Sequence, residues 1–360
     1  VSHFQRAILK IGNYLIIAAA FLMTLILAVA LSLFGVAMIY SAGELEIPSS
    51  VTGIWRKQAM WLCISVVAFI VVHRVELRWL EWIAPAAYGL SILSLLAVLV
   101  IGVVGGLSAV RDAELVQKNL PGLVHALASI GAPSIQHHTG TIGGNLCQEN
   151  RCLYYNQSAF LRSVRQPCHK AGGQICYALE GSDRCRSTCQ SDCAPMLIAL
   201  NARVTVARRG SQRTIPLVDL YSARGEQPLA LEPDKILVEI QVPMPDHDSG
   251  QAYERLSYRS AIDFPMVAVG VNVRIAKRMI EDARIVVGAV SNEPLLLAKA
   301  SQRLVGQATA DHEALQAAAT IAREHASVFV VNNVNAPVAY RQEMIAVLVR
   351  RALTKALKNK

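Results

Sequence analysis

The chain has 360 residues, 53% of them hydrophobic, a mean hydropathy of +0.36 and a formal charge of +9 at pH 7. That length allows two or three domains with real cores. The cationic excess is diffuse, and its densest piece, VRRALTKALKNK at the C-terminus, has no interleaved aromatics. This argues against nucleic-acid binding and for a solvated helix end.

The apolar excess is concentrated in the first 107 residues. Residues 14–40 and 83–107 carry no charge, and residues 55–72 form a shorter apolar run that opens on Trp55 and Trp61 as interfacial anchors. These runs predict an all-α transmembrane region over 1–107 with three spans, at 14–40, 55–72 and 83–107. The first run is too long for a signal peptide. Arg6, Lys10, Arg74 and Arg78 outnumber Arg56 and Lys57, so the N-terminus is expected inside the cytoplasmic (inner) membrane and residues after 107 outside it.

From residue 107 the pattern changes. Residues 112–131 have apolar positions at helical spacing. HTGTIGGNLCQ follows, and its paired glycines let successive N–H groups point at one anion. Residues 264–275 and 282–290 read as strands, and 311–326 as a helix capped by Asp311. A long amphipathic helix opens at Pro337 and runs to the end. In SDCAPMLIAL, Asp192 is placed to cap a helix.

Four cysteines, Cys152, Cys168, Cys176 and Cys185, follow at steps of 16, 8 and 9 residues without a C-x-x-C pair. Spacing alone leaves a metal site, disulfides and free thiols open. Cys147, Cys189 and Cys193 lie nearby and read as small buried residues.

Two resemblances add to this reading. IYSAG (39–43) and WRKQAMW (55–61) resemble the start of the RodA/FtsW-type peptidoglycan polymerases, over about the first 105 residues. The catalytic carboxylate of that family lies in a later loop with no counterpart here, so no catalytic residue is carried over.

GAPSIQHHTGTIGGNL and SDCAPMLIALNARVTV resemble the FAD-binding subunit of the xanthine dehydrogenase family of molybdenum hydroxylases. The resemblance implies an α+β arrangement. A truncated FAD-binding domain (PCMH/VAO-like) would span 108–245, and a small α/β domain like the CO-dehydrogenase flavoprotein C-terminal domain would span 246–360. It implies FAD as cofactor, held by Thr141, Ile142, Gly143, Gly144, Asn145 and Asp192, with His137 and His138 as candidates to approach it.

RCLYYNQS (151–158) resembles one branch, the β subunit of 4-hydroxybenzoyl-CoA reductase, in which an inserted loop carries a [4Fe–4S] cluster. It implies a cluster loop over 147–193 with Cys152, Cys168, Cys176 and Cys185 as ligands, and Tyr154 and Tyr155 packing that loop. The function implied is an oxidoreductase subunit in the cytoplasm. It would relay electrons between FAD and the cluster, and on to partners carrying the molybdenum cofactor and a [2Fe–2S] centre. The substrate site would then lie on another subunit.

The family's first flavin subdomain is replaced here by the apolar runs. The expectation is therefore half a FAD site, and a chimera of two coding sequences joined near residues 105–110. The alternative is a truncated membrane protein of peptidoglycan synthesis with a passenger C-terminal half. A membrane-anchored binding module with a disulfide-rich loop is the weaker third reading.

Overall fold

The computed structural model describes residues 59–67, 85, 88–93 and 106–358. The chain divides into two compact units, Val1–Ser94 and Leu95–Lys360. In the first, residues 59–67 and 88–93 are helical. The expected span at 14–40 lies outside the described residues, as do half of the one at 55–72 and most of the one at 83–107.

Among the described residues no helix is long and apolar enough to cross a membrane. This overturns the expected three-span transmembrane region, its anchoring of the chain, and the inner-membrane placement. Leu107 gives the physical reason at the third run: it is 2% exposed within a protein core and donates its N–H to the Gly140 carbonyl at 2.9 Å. An uncharged apolar run suits burial against protein as well as against lipid.

The second unit starts with short helices α1 (Leu107–Arg111), α2 (Glu114–Asn119) and α3 (Pro121–Ala128). The helix expected over 112–131 is cut at Leu120. Pro121 has no N–H to donate and its ring obstructs the preceding turn, so the chain restarts with proline in the first turn of α3. After α4 (Gln136–Thr139), α5 (Ile142–Leu146) and α6 (Ala159–Ser163), helix α7 (Cys193–Ala199) is buried at every residue.

Strands β1 (Arg203–Arg208), β2 (Ser211–Pro216) and β3 (Ile236–Gln241) form an antiparallel sheet in the order β2-β1-β3. Strands β4 (Ser249–Leu256), β5 (Val267–Ala276), β6 (Met279–Gly288) and β7 (Leu295–Leu296) form a four-stranded antiparallel meander. Helices α8 (Ala298–Gln302), α9 (His312–Ser327) and α10 (Val338–Lys358) complete the chain.

Strand β5 explains how the parts are joined. Val267, Val269, Val271, Val273 and Ile275 face one core together with α9 and α10, while Ala268 faces the other core, with α7. The strand is buried on both faces over residues 267–271, and from Asn272 on it alternates as a half-buried strand does. Glycines permit the close approach of α7: a Cβ on Gly270 would stand 2.6 Å from the Pro195 carbonyl group, and one on Gly288 2.6 Å from Pro195 Cγ.

Helix α10 buries Ile345, Leu348, Val349, Ala352, Leu353 and Ala356, the i, i+3, i+4, i+7 stripe of an amphipathic helix. Each large side chain in it contributes roughly 1.5–3 kcal/mol. At α9, Asp311 caps as expected, its carboxylate accepting the Ala314 N–H at 2.9 Å.

Candidate functional site

The Thr141–Asn145 segment is built as a tight turn into α5. Thr141 Oγ1 accepts the Gly144 N–H at 3.0 Å. Asn145 Oδ1 accepts from Ser191 Oγ at 2.7 Å and from the Cys193 N–H at 3.1 Å, tying the turn to the start of α7. Ser191 Oγ in turn accepts the Ala194 N–H at 3.1 Å. The α7 N-terminus is therefore capped by Asn145 and Ser191, and the Asp192 side chain does not cap it.

A cleft of about 530 Å³ opens beside this turn. Thr141, Ile142 and Gly143 line one wall, Leu237 and Ile240 of β3 another, and Leu120 a third. The walls are mainly apolar, as a flat aromatic ring system requires, with backbone amides of the turn at one edge. A Cβ on Gly143 would meet nothing nearer than Leu237 Cδ2 at 3.5 Å. The protein's own packing does not demand glycine there, whereas close approach of a ligand would.

Asp192 is turned away from the cleft into the join between α7 and β4. Its carboxylate accepts from Tyr253 Oη at 2.6 Å and from Arg255 Nη1 at 3.0 Å, with the Asp192 side chain 5% exposed. Burial pushes this carboxyl up to about 6, against the opposing pull of Arg255 and the Tyr253 hydroxyl. Arg255 also donates to the carbonyls of Ser129 and Asp263 at 2.6 and 2.8 Å. Sequence reasoning missed Tyr253 and Arg255, since nothing local to them points to a partner more than sixty residues upstream.

His137 is buried, with Nδ1 accepting from Arg111 at 2.7 Å and Nε2 donating to the Ile130 carbonyl at 2.7 Å. Both ring nitrogens are used by the protein. His138 is exposed at its contact with Ser108 Oγ, 3.5 Å from Nδ1.

The cysteine loop is held at both ends by backbone bridges and buried amides. Arg151 pairs with Thr188, and Cys168 with Ile175. The first bridge brings the residue before Cys152 beside the chain after Cys185, and the second folds Cys168 onto the segment that carries Cys176. Asn292 donates to the carbonyls of Cys185 and Ser187 at 3.1 and 2.6 Å, and Asn150 donates to the Asn292 carbonyl at 2.8 Å. Asn333 accepts the Leu153 N–H at 2.8 Å and donates to the Arg186 carbonyl. Arg341, wholly buried, donates to Asn333 Oδ1 at 3.2 Å and to the carbonyls of Met266, Val331 and Ala289.

All eight cysteines are unpaired in this structure. Among the described residues no three His, Cys, Asp or Glu side chains are arranged to hold a single metal ion. Burial raises the Cys152 thiol, and the Cys185 and Cys176 thiols near it add to that effect. The Tyr154 ring lies 5.8 Å from that of Tyr177, and the Arg162 guanidinium stands over Tyr155 at 5.3 Å. Cys189 and Cys193 are buried, and burial holds the Cys189 thiol up at about 12; Cys147 is half-buried.

Comparison with known proteins places this geometry. Residues 97–245 match the family described as the FAD binding domain in molybdopterin dehydrogenase, and residues 251–356 the CO dehydrogenase flavoprotein C-terminal domain. The carbon monoxide dehydrogenase medium chain of Afipia carboxidovorans is 30% identical over 46% of this chain and 56% of its own length. The match therefore spans little more than half of that relative. The alpha subunit of the 6-hydroxypseudooxynicotine dehydrogenase complex of Paenarthrobacter nicotinovorans is 25% identical over 68% of each chain.

Among solved structures, reconstituted CO dehydrogenase from Oligotropha carboxidovorans aligns with a TM-score of 0.54 at 23% identity, over 72% of this chain and 75% of that one. Quinoline 2-oxidoreductase from Pseudomonas putida 86 aligns at 0.52 and 18%, over 72% and 74%. These two share the fold. The first family match begins at residue 97, inside the expected third span and ahead of the expected junction at 105–110. The resemblance of the opening residues to RodA/FtsW-type polymerases, and the chimera drawn from it, find no support in these matches.

Proposed function

Because its two matched domains make this chain a member of the molybdopterin dehydrogenase flavoprotein family of oxidoreductases, we propose that it is an electron-relay subunit holding FAD and a [4Fe–4S] cluster, as in the 4-hydroxybenzoyl-CoA reductase branch. Its partners carry the molybdenum cofactor and a [2Fe–2S] centre, and the aromatic thioester is reduced on the molybdenum subunit. When bound, the flavin accepts or donates electrons singly or in pairs, and the cluster passes them singly.

The chain's own residues do the positioning. Thr141, Ile142 and Gly143 line the cleft offered to the flavin, Gly144 closes the turn through its N–H to Thr141 Oγ1, and Asn145 locks that turn to α7. Asp192 acts one layer behind, fixing α7 to β4 through Tyr253 and Arg255.

The observation that carries the cluster is the folding of the cysteine loop. The two bridges, Arg151 with Thr188 and Cys168 with Ile175, gather the segments bearing Cys152, Cys168, Cys176 and Cys185. Burial raises the Cys152 thiol, and the Cys185 and Cys176 thiols near it add to that. A four-iron cube takes one thiolate per iron, so its sulfurs stand farther apart than ligands around a single ion.

The test is anaerobic reconstitution of the full chain with FAD, ferrous iron and sulfide. The expected result is about four irons and one flavin per chain, with broad visible absorption that dithionite bleaches. Cys152→Ser, Cys168→Ser, Cys176→Ser and Cys185→Ser each lower the iron content, and Cys147→Ser does not. A chain that stays colourless and iron-free sinks the cluster assignment; retention of flavin alone leaves a plain flavoprotein subunit.

A further inference from the structure

A second cleft, of about 530 Å³, lies between the first turns of α9 and the end of α10, and it shares no lining residue with the cleft beside Thr141. Arg350, Arg351, Thr354, Lys355 and Lys358 of α10 form one wall, and His312, Leu315 and Gln316 of α9 the other. At 3.6 residues per turn the five side chains of α10 fall within an arc of about 140°. Beyond Glu343 this helix carries four cations and no acid, and all four line the cleft.

Arg351 and Lys355 are four residues apart, and Lys355 and Lys358 three, so like charges stand side by side along the wall and repel. A helix face that only meets solvent interleaves the two signs. Here the compensating carboxylates are few. Lys355 donates to Glu254 Oε1 at 3.1 Å, and Asp311 accepts the Ala314 N–H at 2.9 Å. Glu313, in the first turn of α9, is exposed and lies outside the walls. Among the described residues no carboxylate pairs with Arg350, Arg351 or Lys358. His312 opens α9, so the positive end of that helix adds to the same sign.

We propose that this cleft binds a small ligand through a phosphate group, a phosphomonoester or a diphosphate. Two adjacent arginines present planar donor forks that match phosphate oxygens in pairs, and Lys355 and Lys358 add point charges. Gln316 and His312 supply donors from the opposite wall, and Leu315 gives the rest of the ligand an apolar contact. The volume falls in the range of small-molecule sites, roughly 300–1,000 Å³. A bound phosphate relieves the repulsion along α10.

The test is isothermal titration calorimetry of the full chain with inorganic pyrophosphate, on wild type, Arg350→Gln, Arg351→Gln and Arg323→Gln. Arg323 is a cation of α9 outside the cleft, paired with Glu343 at 2.6 Å. The expected result is one pyrophosphate per chain. Arg350→Gln and Arg351→Gln each weaken it on the order of tenfold, the effect of losing one charged hydrogen-bonded contact. Arg323→Gln stays within about twofold of wild type. Arg350 and Arg351 are exposed, so both variants keep the wild-type circular dichroism.

A wild-type chain that binds no pyrophosphate at millimolar concentration overturns the proposal. So does an equal loss in all three variants, which marks diffuse attraction. Binding that neither Arg350→Gln nor Arg351→Gln weakens places the ion elsewhere and overturns it too. A hexaglutamate peptide is titrated in parallel. If it binds more tightly than pyrophosphate and depends on the same arginines, the cleft docks an acidic protein segment and the phosphate assignment falls.

Discussion

Replacing Arg255 with methionine removes three hydrogen bonds at once, to Asp192, Ser129 and Asp263. It leaves the Asp192 carboxylate in the join between α7 and β4 with Tyr253 as its remaining hydrogen-bond donor. Unpairing a buried ion pair costs roughly 3–5 kcal/mol while the remaining charge stays ionised. Asp192 has an escape, because burial already raises its carboxyl from 3.8 to about 6, and losing Arg255 raises it further. At pH 5 the carboxyl is protonated in the variant, and the cost falls to that of the two lost carbonyl contacts, about 2 kcal/mol.

The sign for the wild type follows from the same linkage. A carboxyl whose folded pKa lies above its unfolded one contributes its full stabilisation below about pH 4 and loses it as pH rises through about 6, a change of up to about 3 kcal/mol. The assay is urea unfolding of wild type, Arg255→Met, Asp192→Asn and the double variant at pH 5 and pH 8. All four tryptophans precede residue 83, so unfolding of the second unit is followed by far-UV circular dichroism. On the Asp192→Asn background the Arg255→Met penalty should be the same at both pH values. A penalty below about 1 kcal/mol at pH 8, or an equal penalty at both pH values in the otherwise wild-type chain, would refute the reasoning.

Three further outcomes are expected. Gly143→Ala should leave stability within about 1 kcal/mol, since the new methyl meets only Leu237 Cδ2 at 3.5 Å. It should weaken flavin binding about tenfold by fluorescence titration, if the flavin fills the space beside the turn. Gly270→Ala should destabilise by at least about 1–3 kcal/mol in the same urea assay, because its Cβ would stand 2.6 Å from Pro195 backbone that cannot retreat. With Cys189 held up at about 12, roughly one Cys189 thiol in 10⁴ is ionised at pH 8. A thiol reagent on the native apo-protein should therefore label the exposed Cys63 and the half-buried Cys152, Cys168 and Cys176 first, and reach Cys189 and Cys193 only on unfolding, as peptide mapping would show.

What the sequence alone determined about this protein lies in interactions that span a few residues. The cap at Asp311, the apolar stripe of α10 and the paired-glycine turn at 143–144 depend on neighbours three or four positions away, so period and residue type reveal them. The cysteine steps drew attention to one loop, and the motif around Thr141 pointed to the flavoprotein family that residues 97–356 match.

The tertiary structure decided what depends on distant partners. Asp192 reads as a helix cap until Tyr253 and Arg255 arrive from β4 and take its carboxylate, leaving the cap to Asn145 and Ser191. Lys170 is one more cation in the sequence until the Gly225 carbonyl and the Tyr155 ring meet its ammonium. Leu107 ends an uncharged run that reads as membrane, yet it is buried in a protein core where α1 packs against α3 and α4. Apolarity records only that a side chain avoids water, and whether lipid or protein covers it depends on contacts that no local window contains.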